Sequence, residues 1–187
     1  MNIMIVGVGG QGTLLASRIL GNAVTEAGFD VKLSEVHGMS QRGGSVVTYV
    51  KFGKKVYSPI IDKGEADIIL AFECLEAYRA LPWLKKGGKM IVNDQKINPM
   101  PVIIGAAEYP EDIIEKLTSV CDVAHINALD MAEKAGSIKA VNVVLIGVMA
   151  KNTDIPYEKW VSAVKNTVPE KFVEINLKAF DEGYGVE

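Results

Sequence analysis

The stretch Gly7-Val8-Gly9-Gly10-Gln11-Gly12 decides the fold of this chain. It follows the apolar run Ile3-Met4-Ile5-Val6, and after it apolar residues recur with helical spacing as far as Ala27. Gly7, Gly9 and Gly12 match a G-x-G-x-x-G spacing, in which glycines permit a tight turn and close approach of a ligand or a neighbouring backbone. A strand, a glycine turn and a helix in this order predict the first unit of an open α/β sheet.

The remaining pattern predicts an α/β fold: a Rossmann-like open, mostly parallel sheet with one antiparallel hairpin and a helical C-terminal end. A single domain is expected over residues 1–187. Strands are predicted at 2–6, 31–34, 46–52, 56–57, 66–72, 89–93, 102–104 and 122–126. Helices are predicted at 12–27, 74–81, 110–119, 128–135, 138–151, 157–167 and 170–181. The turn at 53–55 is predicted to close the hairpin between strands 46–52 and 56–57.

Composition and charge exclude several classes of function. A net charge of −3 gives no reason to expect a nucleic-acid partner. The apolar run at 141–150 is half as long as the roughly 20 residues that span a membrane. A strand predicted from Asn2 leaves no room for a signal peptide, so we expect a cytoplasmic protein. The two cysteines, Cys74 and Cys121, lack C-x-x-C spacing, and we expect no disulfide framework, iron–sulfur cluster or zinc site from this chain alone.

Candidate binding residues follow the predicted strands, because ligands of open α/β sheets lie outside the carboxyl ends of the strands. Besides the glycine turn, this edge receives Glu35, Glu73 and Asn93-Asp94. Glu35 has the placement of the acid that binds a ribose hydroxyl in nicotinamide-binding folds. All three acids can equally cap loops or helix starts. No histidine accompanies them in the sequence, which argues against a metal site.

A polar, glycine-containing segment at 35–45 is the second informative stretch. Arg42 and the glycine N–H groups can bind an anion, and the same segment can instead contact another subunit. His37 has no nucleophile nearby in the sequence to act on as a general base. The candidate ligand-contacting residues are Gly7, Gly9, Gly10, Gln11, Gly12, Glu35, His37, Ser40, Gln41, Arg42 and Gly43. We predict neither catalytic residues nor metal ligands.

Four isolated residues favour structural roles. Cys74, after a buried strand, is either an activated thiol at a helix start or inert packing. His125 is expected to be half-buried with its polar atoms satisfied. Asn142 interrupts an apolar helix and should pin it to a neighbouring loop, since a buried amide needs partners. Gly147 on the same helix indicates the close approach of another backbone.

The two glycine-containing motifs together resemble the gamma-type domain of 2-oxoacid:ferredoxin oxidoreductases, most closely in the indolepyruvate branch. The motifs are Gly-Val-Gly-Gly-Gln-Gly at 7–12 and Glu-Val-His-Gly-Met-Ser-Gln-Arg-Gly-Gly-Ser-Val at 35–46. Further similarity lies in the segments 66–77, 142–147 and 174–183. The resemblance therefore extends from the first strand to the last helix.

This resemblance implies a subunit of an enzyme that oxidatively decarboxylates arylpyruvates with coenzyme A, giving an acyl-CoA, carbon dioxide and reduced ferredoxin. It also implies that thiamine diphosphate, Mg and 4Fe-4S clusters belong to a large (alpha) partner subunit, through which ferredoxin is reached. This chain would support the active site and would be inactive alone. A free-standing NAD(P)-binding Rossmann enzyme or sensor, using Gly7, Gly9, Gly12 and Glu35, and a purely structural scaffold domain remain as alternatives.

Overall fold

A mixed sheet forms the centre of the protein. The computed structural model describes residues 1–37 and 44–186, without the side chain of His37. Within those residues the strands are β1 (Asn2–Val8), β2 (Asp30–His37), β3 (Ser45–Gly53), β4 (Ala66–Ala71), β5 (Leu84–Asn93) and β6 (Asp122–Ile126). Their spatial order is β2-β3-β1-β4-β5-β6. β1, β4, β5 and β6 pair in parallel, whereas β3 is antiparallel to both β1 and β2. The predicted fold class is confirmed.

Helices cover both faces of this sheet. They are α1 (Thr13–Glu26), α2 (Cys74–Ala80), α3 (Met100–Ile103), α4 (Ile113–Thr118), α5 (Ala128–Ala135), α6 (Val141–Ala150), α7 (Tyr157–Thr167) and α8 (Val173–Tyr184). Successive side chains of β1 point to opposite faces. Ile3 and Ile5 join the core under α1, α5, α6, α7 and α8, whereas Met4 and Val6 join a smaller core under α2 and α4.

The helix α6 lies inside the helical layer, and every one of its residues from Asn142 onward is buried. It packs on α8 at two glycines. A Cβ on Gly147 would lie 2.2 Å from the carbonyl oxygen of Phe180, and one on Gly183 would lie 2.0 Å from that of Val144. The predicted close approach of another backbone at Gly147 is therefore confirmed.

Two predicted strands are wrong, and the hairpin lies elsewhere. Residues 56–57 form no strand, because the N–H of Val56 donates to Oδ2 of Asp30 at 2.9 Å and not to β3. The antiparallel partner of β3 is β2, with Asp30 opposite Gly53 and His37 opposite Val46. The strand predicted at 31–34 thus extends into the predicted loop 35–45.

At 102–104, where the second wrong strand was predicted, the chain forms the end of the short helix α3 and its C-cap. Pro101 stands in its first turn, where the missing N–H of proline costs nothing. Ile103 at the end of this helix and Ile104 after it are mostly exposed, so they lack the burial in a sheet that would favour a strand. Among the described residues no helix is both long and apolar enough to cross a membrane.

Candidate functional site

A cleft of about 530 Å³ lies at the carboxyl edge of the sheet. The glycine turn after β1 forms one side, the residues after β4 and β5 form its floor, and the starts of α5 and α6 form the other side. It is lined by Gly10, Gln11, Gly12, Phe72, Asn93, Asp94, Gln95, Leu129, Ile138, Lys139, Val141 and Asn142. The volume lies within the range usual for small-molecule sites.

The side chain of Gln11 fixes the glycine turn to the strand ends. Its Oε1 accepts the N–H of Val8 at 2.6 Å, and its Nε2 donates to the carbonyl oxygen of Phe72 and to Oε1 of Gln95, both at 2.9 Å. Gly7 leaves the space for this amide, since a Cβ there would lie 2.8 Å from Oε1 of Gln11. The turn is therefore held in place by side-chain hydrogen bonds before any ligand binds.

The glycines at 10 and 12 give the turn its backbone shape. Gly10 has a φ of 99° and Gly12 a φ of 82°, in the left-handed region that side chains disfavour. A Cβ on Gly12 would also lie 2.7 Å from Nδ2 of Asn142. The close contact at Gly12 is thus with the side chain of Asn142 on α6.

The start of α1 is suited to an anion. Gly12 is its N-cap, no side chain caps it, and its first turn contains no acidic residue. Helix N-termini carry a partial positive charge and present N–H groups to a bound ligand. Lys139, exposed on the opposite side of the cleft, adds a cation. The described cleft residues therefore combine the donors and the charge that a phosphate or carboxylate group requires.

Asn142 joins the helical layer to the turn. It is buried, and its Nδ2 donates to the carbonyl oxygen of Gly12 at 3.3 Å, as predicted for an amide that pins α6 to a loop. Its Oδ1 has no hydrogen-bond partner among the described residues, although it is fully buried. A buried acceptor without a donor is costly, so this atom marks a place where a ligand or water donor would be stabilising.

The predicted ligand-contacting residues separate into three groups. Gly10, Gln11 and Gly12 line the cleft. Gly7 packs behind it, and Gly9 donates its N–H to the carbonyl of Gly44 at 2.9 Å. Glu35 lies on β2 and accepts the hydroxyl of Ser17 at 2.7 Å. The side chain of His37, and all of Ser40, Gln41, Arg42 and Gly43, lie outside the described residues.

Glu35 is also two strands away from the turn. In the dinucleotide-binding fold the ribose-binding acid follows the strand next to the first one. Here β3 occupies that position, between β1 and β2. The sequence distance between Gly12 and Glu35 cannot reveal this inserted antiparallel strand.

Two polar residues that line the cleft, Lys139 and Gln95, were not predicted from the sequence. Lys139 carried no recognisable signal, because it follows Ser137 in a short 3₁₀ turn that only the tertiary structure brings to the cleft. Gln95 follows the polar pair Asn93-Asp94, which did suggest this edge. Asn93 is buried and structural: its Nδ2 donates to the carbonyl of Phe72 at 3.2 Å, and its Oδ1 accepts the N–H of Ala128 at 3.2 Å.

Glu73 has a structural role: of the two roles that its position allowed, ligand binding and capping of a helix start, the structure shows capping. It is 1% exposed, and its Oε2 accepts the N–H of Glu76 at 2.9 Å as the N-cap of α2. Its Oε1 accepts the N–H of Ile97 at 3.0 Å and the hydroxyl of Tyr109 at 2.5 Å. Burial, together with this hydrogen bond to Glu73, strongly raises the pKa of Tyr109.

Cys74 is not an activated thiol in the structure. Burial raises the pKa of its thiol, and the nearby carboxylates Glu73 and Asp94 raise it further. Its Sγ faces the carbonyl oxygen of Asn93 at 3.6 Å. These surroundings favour the protonated thiol and argue against nucleophilic chemistry at this residue.

The structure is an α/β domain with a cleft at the carboxyl edge of its sheet, and comparison with known proteins shows which family it resembles. Residues 2–186 match the family described as pyruvate ferredoxin/flavodoxin oxidoreductase. Indolepyruvate oxidoreductase subunit IorB from Thermococcus kodakarensis is 43% identical, with 97% of this chain and 93% of that protein covered. The subunit of the same name from Pyrococcus horikoshii is 42% identical, with the same coverage of 97% and 93%. The keto/oxoacid ferredoxin oxidoreductase gamma subunit from Geobacter sulfurreducens has a TM-score of 0.73 at 26% identity, with 98% and 95% covered.

The chain belongs to the pyruvate ferredoxin/flavodoxin oxidoreductase family. The resemblance drawn from the motifs at 7–12 and 35–46 is confirmed. The predicted class of enzyme is confirmed with it: a subunit of an oxoacid oxidoreductase whose electron acceptor is an iron–sulfur protein.

Proposed function

We propose that this chain is the small subunit of an indolepyruvate (arylpyruvate):ferredoxin oxidoreductase. The complex would convert a 2-oxoacid and coenzyme A into acyl-CoA and carbon dioxide. The two electrons released by the oxidation would pass to ferredoxin, and the thiol proton of coenzyme A would go to solvent. The supporting observation is the 43% identity to an indolepyruvate oxidoreductase subunit over 97% of this chain.

The redox cofactors would belong to a large partner subunit. A 4Fe-4S cluster is held by four cysteine thiolates, and this chain has two cysteines. Thiamine diphosphate and Mg would likewise lie on the partner, which supplies the carbanion chemistry of decarboxylation. Ferredoxin would be reduced through that subunit, and the assembly would work in the cytoplasm.

The cleft at the carboxyl edge is our candidate for the part of this chain that meets coenzyme A. Its phosphate groups need N–H donors and cations, which the uncapped start of α1 and Lys139 provide. Apolar Leu129 and Ile138, about half exposed at the cleft, offer surface to the rest of the molecule or to the partner. We propose His37, Ser40, Gln41, Arg42 and Gly43 as further contacts, with Arg42 on an anionic group.

The alternative of a free-standing NAD(P)-binding protein has less support. It requires Glu35 beside the glycine turn, and β3 separates β2 from β1. Glu35 also uses its carboxylate to accept the hydroxyl of Ser17 on α1. The G-x-G-x-x-G spacing is therefore explained by backbone packing around Gln11 and Asn142 without a dinucleotide.

Co-purification of this chain from its own cells, followed by a ferredoxin-reduction assay, tests the proposal. We expect a large iron- and thiamine-containing subunit to accompany it, and the pair to reduce ferredoxin with indolepyruvate and coenzyme A. The separated chain should show no turnover. A chain that purifies alone and binds NAD, or an assembled pair inactive with every arylpyruvate, would contradict the proposal.

The role of the cleft is tested in the same complex with single variants. Lys139→Ala and Arg42→Ala should each raise the KM for coenzyme A about threefold to tenfold with little change in kcat, since each removes one contact to an anion. Lys178→Ala is the matched control, because Lys178 is exposed and pairs with Glu174 on α8. An unchanged KM in both variants would leave the subunit assignment intact and contradict the proposed coenzyme A contacts.

A further inference from the structure

Cys74, Asp94 and His125 come together on the α2 side of the sheet, at its carboxyl edge. One ligand atom from each lies within 4.8 Å of the others. The three residues belong to different parts of the fold: Cys74 is the first residue of α2, Asp94 follows β5, and His125 is the penultimate residue of β6. No metal site was predicted, because no histidine accompanies the acidic residues in the sequence and the cysteines lack C-x-x-C spacing. Only the folded sheet brings a histidine to the acid and the thiol.

The distances suit a zinc ion. In a tetrahedral site with metal–ligand distances of roughly 2.0 to 2.3 Å, neighbouring ligand atoms lie roughly 3.3 to 3.6 Å apart. Nε2 of His125 and Oδ1 of Asp94 are already 3.3 Å apart. The sulfur of Cys74 lies within 4.8 Å of both atoms, and its approach to the ion completes three corners of the tetrahedron, which leaves the fourth for a water molecule.

The backbones of the three residues are held in place by hydrogen bonds that no metal is needed to form. The N–H of Asp94 donates to the carbonyl of Ile126, next to His125, at 2.7 Å. The N–H of Cys74 donates to the carbonyl of Gln95, next to Asp94, at 2.9 Å. A site whose ligands are positioned in advance loses less conformational entropy on binding.

The local charge also favours a cation. The carboxylates of Glu73 and Asp94 both act on the Cys74 thiol, opposed by Lys96. Burial disfavours an isolated thiolate, but a bound divalent cation compensates its charge and displaces its proton. Cys74 is fully buried, whereas His125 and Asp94 keep solvent-exposed side chains, so an ion can enter from the solvent side.

The geometry points to a divalent transition-metal site, best matched by Zn²⁺, with Cys74, Asp94 and His125 as its protein ligands. The thiolate and imidazole select a borderline-soft ion such as Zn²⁺ or Co²⁺ over Mg²⁺ or Ca²⁺. The bound ion ties the start of α2 to the ends of β5 and β6. This inference is independent of the substrate of the enzyme.

Metal titration of the full chain tests the site. The protein is purified without a histidine tag, kept reduced, stripped of metal with a chelator and titrated with Co²⁺ and then Zn²⁺. We expect one Co²⁺ per chain with a thiolate-to-cobalt charge-transfer band, displaced by Zn²⁺. Cys74→Ser should abolish the band. Cys121→Ser, at the other cysteine, and Asp122→Asn, also on β6, are the matched controls and should keep it.

Two further variants keep the test decisive if Cys74→Ser disturbs the buried core. His125→Gln and Asp94→Asn should each lower the Zn²⁺ affinity at least about 100-fold. Loss of a residue that only hydrogen-bonds a metal ligand already costs up to about 100-fold, and these variants remove a ligand itself. Far-ultraviolet circular dichroism verifies that each variant is folded. Zn²⁺ should raise the Tm of the wild type and of the controls but not of these two variants. Absence of the band in the wild type, or unchanged affinity in folded His125→Gln, overturns the inference.

Discussion

Gln11 and Gln95 meet amide to amide, with Nε2 of Gln11 2.9 Å from Oε1 of Gln95. The contact joins the glycine turn after β1 to the residues after β5, across the intervening end of β4. The carbonyl of Gln95 also accepts the N–H of Cys74. Gln95 thus connects the glycine turn at the cleft to the cluster of Cys74, Asp94 and His125.

Gln11→Glu should destabilise the protein by about 2 to 3 kcal/mol. A carboxylate cannot donate to the carbonyl oxygen of Phe72 or to Oε1 of Gln95. It would instead place a negatively charged acceptor against these two acceptor oxygens. Urea unfolding of the isolated chain measures the loss. Asn176→Asp is the control: this half-buried amide near the start of α8 donates one solvent-exposed hydrogen bond to the carbonyl of Phe172, so its loss should change the free energy of unfolding little. Equal effects of the two variants would show that the bridge contributes nothing specific.

Gly183→Ala should destabilise the protein by about 1 to 3 kcal/mol or more. Its new Cβ would lie 2.0 Å from the carbonyl oxygen of Val144, a backbone atom that cannot move without shifting α6. Gly21→Ala is the matched substitution within α1, where a Cβ meets nothing within 4 Å. It should stabilise the protein by about 0.5 to 1 kcal/mol, the helical preference of alanine over glycine. Thermal unfolding of both variants measures the opposite signs, and a neutral Gly183→Ala would refute the packing argument.

Tyr109→Phe should cost about 1.5 to 3 kcal/mol of stability. The hydroxyl donates to the buried carboxylate of Glu73 and accepts the N–H of Leu75 at 3.1 Å, so its removal leaves both without this partner. Tyr57→Phe is the control, because Tyr57 is 87% exposed. Denaturant unfolding at neutral pH compares the two, and a loss as small as that of Tyr57→Phe would contradict the role assigned to Glu73.

Asp67→Asn should make the protein less stable at neutral pH, with the difference shrinking in acid. Burial raises the pKa of Asp67, but hydrogen bonds from Lys85 and from the N–H of Asn2 outweigh it, so the pKa lies below 3.8. A carboxyl group whose pKa is lowered by folding stabilises the protein above its unfolded pKa and loses that effect as pH falls through the folded one. The expected difference is about 1 kcal/mol at pH 7, and it is lost as the pH falls below 3.8 and through the lower folded pKa.

Unfolding of wild type and variant across this pH range measures the difference. Lys85→Met should lose stability with the same pH dependence, because it removes a donor that lowers the pKa of Asp67. A difference in stability between wild type and Asp67→Asn that does not shrink as the pH falls below 3.8 would contradict the assignment.

The sequence by itself determined the elements that depend on local pattern. The glycine turn, the strand before it and the helix after it were predicted from residues close together in the chain, because periodicity and turn chemistry act over short distances. The same holds for the long helices of the C-terminal half. Even the pinning amide of Asn142 and the close approach at Gly147 were predictable, because a polar residue or a glycine inside a buried helix requires a partner nearby.

Only the tertiary structure decided which distant residues meet. The insertion of β3 between β1 and β2 depends on strand pairing, which places Glu35 two strands from the turn it appeared to serve. Residues 56–57 and 102–104 read as strands, but a hydrogen bond to Asp30 and a proline in the first turn of α3 determined otherwise. Lys139 at the cleft, and Cys74 with Asp94 and His125, are neighbours only after folding. Their contacts arise from the packing of whole elements, and no local pattern in the sequence encodes such packing.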